Sequence, residues 1–143
     1  MVRRRREVDM AVRESGYTLS AASRRPFEEA VARVKDELRS EGFGVLCEID
    51  VQATLREKLG AEVEPYLILG ACNPPLAHAS LAAEPELGVL LPCNVVVYER
   101  EGTVHVSAVD AERMRSIVGN DALADTAATV RRKLALVVER AAG

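Results

Sequence analysis

The 143 residues carry a formal charge of −3, are 48% hydrophobic and 29% charged, and include no Trp, two Phe and three Tyr. That is enough chain for one domain with a sizeable core and no help from disulfides or metal. So weak a field and so few aromatic rings exclude a nucleic-acid or acidic-membrane surface as the main partner.

Residues 1–16 read as a basic N-terminal tail, its charge concentrated in Arg3 to Arg6, and residues 17–143 as a single domain. No apolar run approaches the ~20 residues of a membrane helix, and the first thirty lack a signal peptide's apolar segment, so a cytoplasmic protein is expected. Cys47, Cys72 and Cys93 are odd in number and form no CxxC pair. Reduced thiols fit that pattern better than a disulfide framework.

Tyr17 to Ala21 suggests a short strand. Pro26 then opens a helix with Phe27, Ala30, Val31, Val34 and Leu38 on one face, Glu29 and Arg33 four apart on the outer side, and Gly42 at its end. Phe43, Val45, Cys47, Ile49 and Val51 alternate with Gly44, Leu46, Glu48 and Asp50, the period of a strand, which places Cys47 on the core face. Asp50 can cap a short helix that turns Leu55 and Leu59 inward and stops at Gly60.

Tyr66 to Cys72 is an apolar run of central-strand length, preceded by Pro65. Asn73 can cap the helix that Pro74 opens, and this helix should end by Glu84, before Pro85. Leu87 to Glu99 is strand-like but broken by Pro92, and Glu101-Gly102 suits a tight turn into Thr103 to Val109. That hairpin sets Tyr98 opposite His105, with Cys93 pointing to the core and His105 away from it. Asp110 caps a short helix containing Met114, Ile117 and Val118 that Gly119 stops; Asn120 caps a final helix striped by Leu123, Ala127, Val130, Leu134 and Val137.

The order β-α-β-α-β-α-β-β-α-α predicts an α+β domain, a two-layer sandwich with helices on one face of a mostly antiparallel sheet. Leu46, Leu67, Leu69 and Val96 occupy alternate positions assigned to the other face, so a second subunit is expected to cover it, making a homodimer.

The runs Glu41-Gly-Phe-Gly-Val-Leu, Glu48-Ile-Asp-Val-Gln-Ala-Thr-Leu, Tyr66-Leu-Ile-Leu-Gly-Ala-Cys-Asn-Pro-Pro-Leu-Ala and Leu90-Leu-Pro-Cys-Asn-Val-Val-Val-Tyr closely resemble the domain of unknown function 302 family of bacteria and archaea. The resemblance covers roughly Tyr17 to Arg140 and implies a compact two-layer α+β fold. It implies no established activity. It also implies that Asn73-Pro74 and Leu91-Pro92 are more general features of the family than the cysteines beside them.

Chemistry concentrates at two strand ends. Cys72-Asn73-Pro74 and Cys93-Asn94 each set a thiol beside an asparagine, and His78 follows on the next helix. If the strands are neighbours, Cys72, Cys93 and His78 could converge on zinc or another soft metal. Buried core thiols are the plainer reading. The helix start at Asn73 could lower the Cys72 thiol pKa or hold an anion, although Pro74 and Pro75 remove amide donors. A nucleophilic Cys72 would need His78 or His105 as a base. Asp50 and Glu48 could pair as acid and base, but capping and a wet strand position explain them. No Gly-rich phosphate loop, HExxH or GxSxG motif is present.

Three functions remain in order of preference. The first is a non-enzymatic small-ligand or metal-binding module with Cys72, Asn73, Pro74, Cys93 and Asn94 at its ligand site. The second is a thiol enzyme with Cys72 as nucleophile. The third is an interaction protein acting through its dimer surface.

Overall fold

In a computed structural model, which describes residues 11–143, six strands form one fully antiparallel sheet in the order β1-β2-β6-β5-β4-β3. The strands are β1 (Arg13–Glu14), β2 (Thr18–Ser23), β3 (Gly44–Asp50), β4 (Tyr66–Cys72), β5 (Cys93–Arg100) and β6 (Thr103–Val109). The helices are α1 (Phe27–Ser40), α2 (Val51–Leu59), α3 (Pro74–Ala83), α4 (Ala111–Val118) and α5 (Ala124–Ala142), with 3-10 turns at Pro85–Leu90 and Asp121–Leu123. The expected α+β sandwich is therefore the fold. Arg3 to Arg6 lie outside the described residues, whereas Arg13 and Glu14, inside the segment read as a tail, pair with Ser20 and Leu19.

Local chemistry sets most boundaries. The Asp50, Asn73, Asp110 and Asn120 carboxylates or amides each accept a backbone N–H in the first turn that follows, which satisfies donors that a helix start leaves unpaired. Gly60 and Gly119 end α2 and α4 in the left-handed conformation, at φ 64 and 74. Glu101 and Gly102, both at positive φ, make the two-residue turn whose twist suits a hairpin.

The core lies between the sheet and a layer led by α1 and α5. From the helices come Ala30, Val34, Leu38, Leu134, Val137 and Val138, all without exposed surface. Val95, Val97, Val106 and Leu69 meet them from the sheet. The α1 stripe, the α5 stripe and the Tyr98–His105 register agree with the sequence reading. On the outer side of α1, Glu29 pairs with Arg25 at 2.6 Å while Arg33 reaches Glu37 at 3.6 Å.

Four expectations are corrected. The register of β3 shifts between Val45 and Cys47, so Leu46 is an extra residue and the alternation flips after it. Val45 keeps to the core while Cys47, expected there, is exposed on the opposite face beside Ile49. Leu67 and Leu69, assigned to the uncovered face, pair with Val97 and Val95 and so turn toward the helices. Leu59 of α2 is 74% exposed rather than inward. Finally, Pro85–Leu90 winds into a 3-10 turn, and β5 begins only after Pro92. Proline lacks the N–H that a sheet ladder would use, so the strand starts at its first competent residue.

Candidate functional site

Cys72 is the last residue of β4 and Cys93 the first of β5, and the pairing Ala71↔Cys93 makes those strand ends neighbours. Asn73 leaves β4 as the cap of α3, its Oδ1 accepting from the Leu76 amide at 3.4 Å and its Nδ2 donating to the Glu41 carbonyl at 3.3 Å. The second bond ties α3 to the end of α1. Together these elements border an open recess of about 300 Å3 at the end of the sheet, beside α3 and the loop that carries Pro92.

Cys72, Asn73, Cys93 and Pro92 line this cavity, with Leu76 and Leu91 as its larger apolar walls. Among the described residues no charged side chain lines it. The Ser80 hydroxyl is already donated to the Leu76 carbonyl at 2.8 Å, and both polar ends of Asn73 are engaged. The side-chain polar groups of Asn73 and Ser80 are thus engaged within the protein, and the rest of the lining is apolar residues with Cys72 and Cys93. Leu46 and Leu81 at the lining are 69% and 38% exposed, so apolar surface continues outside. A narrower recess of about 60 Å3 adjoins it through Ser80, Leu91, Cys93 and Val130.

The other expected site residues go elsewhere. Asn94 follows Cys93 on β5 and so faces the opposite side of the sheet, in a separate cleft of about 1030 Å3. Pro74 and His78 are exposed on α3 and line neither space. Among the described residues no group of three His, Cys, Asp or Glu side chains is placed to hold a metal ion. The Cys72, Cys93 and His78 set is not brought together. Neither imidazole is hydrogen-bonded to Cys72 among the described residues, and His105 instead stacks on Tyr98 at 4.9 Å.

Burial pushes the Cys93 thiol up to about 11, and the neighbouring Cys72 adds to the effect. At neutral pH Cys93 is therefore a protonated, weakly polar wall of the cavity. Glu48 pairs with Lys35 at 2.5 Å and Asp50 caps α2, so neither is poised for acid-base work.

Sequence reading missed Leu76, Ser80 and Leu91. A signal was present. Pro74–Ala83 contains no Asp, Glu, Lys or Arg, so the side of it that carries Leu76 and Ser80 to the recess brings no formal charge.

Fold and cavity define an α+β domain of two layers with an apolar recess at one end of its antiparallel sheet. Residues 19–141 match the family described as Domain of unknown function DUF302, and the chain belongs to that family. Among solved structures it is similar to an uncharacterized conserved protein DUF302 from Bacillus stearothermophilus, at 30% identity and a TM-score of 0.83. That match covers 88% of this chain and 98% of the other. No curated protein matches the chain. No helix of the described residues is long and apolar enough to cross a membrane.

Proposed function

We propose that the domain is a non-enzymatic module that binds a small, uncharged, apolar ligand in the recess walled by Cys72, Asn73 and Cys93. The observation that carries this reading is a space of about 300 Å3 with no charged lining residue among the described ones and with the Asn73 and Ser80 polar groups already bonded. An occupant offering charges or strong donors would find no partners there and would lose its hydration without return. An apolar cavity of roughly 150 Å3 accepts benzene, so this one suits a larger ring or a short alkyl chain. A metal is disfavoured in the same place because, among the described residues, no three His, Cys, Asp or Glu side chains are grouped to hold one. For the thiol-enzyme reading, no His, Asp or Glu among the described residues is hydrogen-bonded to Cys72 or lines the recess with it. We read the module as a homodimer whose uncovered sheet face meets a second copy, and its three free cysteines suit the reducing cytoplasm.

The test uses N-phenyl-1-naphthylamine, an uncharged fluorescent probe. The protein should enhance its emission saturably, and bound probe should slow alkylation of Cys72. Filling the space with Ala77→Phe should weaken binding at least tenfold while leaving the circular dichroism unchanged. Equal binding by wild type and this folded variant would sink the proposal.

A further inference from the structure

The sheet face turned away from α1 and α5 is unlike a wet face. Ile49, Ile68, Val96, Ser107 and Ser20 follow one another across five strands. Beside that row Tyr66 stacks on Tyr98 at 5.4 Å, and Tyr98 on His105 at 4.9 Å. On β2, β4, β5 and β6 the side chains of this face include one formal charge, Arg100, at the turn into β6. Antiparallel sheets that face water alternate apolar with polar and charged residues, whereas interface centres are charge-poor and rich in tyrosine.

The second observation concerns α2. It is capped at both ends, yet none of its residues is buried. Val51, Leu55 and Leu59 nevertheless recur on one side at i, i+4 and i+8, the pattern of a helix built to be covered. Val51 and Leu55 border the cleft of about 1030 Å3 over the open face, with Tyr17 and Thr18 at its opposite border. Leu59 and Tyr17 stand 74% and 71% exposed.

We infer that α2 is the docking arm of a twofold homodimer: the open faces of two copies meet, and Leu55 and Leu59 of each copy close over the Val96–Ser107 strip of the other. The inference rests on the homodimer reading and adds the element that grips. A twofold contact needs one patch complementary to itself, and a ridge beside a trough on the same face meets that requirement. Five strands of six to eight residues, spaced ~4.8 Å apart with ~3.4 Å per residue, give a flat footprint of roughly 600 Å2. Side-chain relief and the α2 ridge bring that toward the ~800 Å2 per partner of a stable complex. Among the described residues the formal positive charges of this face are Arg13 at its edge and Arg100 at a turn, too few for the field that a nucleic acid would need.

Native mass spectrometry and light scattering of the full chain over a dilution series test the assignment. Wild type should be a dimer. Val96→Arg, which strikes the face, and Leu59→Asp or Leu55→Asp, which strike the arm, should each weaken it about thirtyfold or more with unchanged circular dichroism. Leu59 is exposed enough for its variant to fold regardless. A wild type monomeric at every concentration overturns both the homodimer reading and the arm. Dissociation by Val96→Arg but not by either α2 variant overturns the arm alone. A dimer indifferent to all three variants overturns the use of this face.

Discussion

Cys93 and Asn94 are consecutive, yet one forms the wall of an apolar recess and the other looks across the opposite face of the sheet. The same division runs along β2 and β5. On the helix side Val95, Val97 and Val106 have no exposed surface, whereas their open-side neighbours Val96 and Tyr98 are only half-buried. The contrast teaches that one face of this sheet carries the core of the fold while the other keeps apolar surface only half-buried. The two-residue period of a strand lets a single segment serve both faces.

The largest test of this division is a pair of truncations. Leu134→Ala removes a side chain that is 0% exposed at the centre of the helix layer and should cost ~2–5 kcal/mol in chemical denaturation. Val96→Ala on the open face should cost less than ~1 kcal/mol when both proteins are measured under conditions that keep them monomeric. Equal losses would break the comparison. The next effect concerns Gly70, which belongs to neither simple category. A Cβ there would lie 2.6 Å from the Cys47 sulfur and 2.9 Å from Pro92, so Gly70→Ala should destabilise by ~1–3 kcal/mol through overpacking on the open side. A neutral result would show that β3 can slide outward. The smallest effect is a pH dependence. Burial, and after it the Arg100 charge, hold the His105 imidazole below its ordinary value of 6.5. The unfolded chain therefore takes up a proton first as pH falls, and stability that is complete above 6.5 declines toward the lowered native value. His105→Gln should flatten that part of the stability profile, and an unchanged slope would remove His105 as its source.

Elements with strong local signals were legible in the sequence. The α1 and α5 stripes, the four side-chain caps and the Tyr98–His105 register follow from periodicity and turn chemistry, which need only near neighbours. Cys47 was misplaced because its orientation depends on a bulge at Leu46 that no local pattern announces, and one extra residue inverts everything after it. Leu67 and Leu69 sit in a run apolar at nearly every position, so alternation alone could not say which residues face the helices. Of the candidate site, Cys72, Asn73 and Cys93 were found because they cluster at strand ends. Asn94 and His78 were carried along by proximity in the chain, and pleating and helix rotation separate them from the cavity.

The bulge also bears on how the sheet meets its surroundings. Among the described residues its outermost strands are β1 and β3, and outermost strands are the places through which sheets join end on end into aggregates. Here β1 is two residues long, and the extra residue in β3 interrupts the even row of donors and acceptors that an incoming strand would need. Both rims are blunted against fibrillar growth.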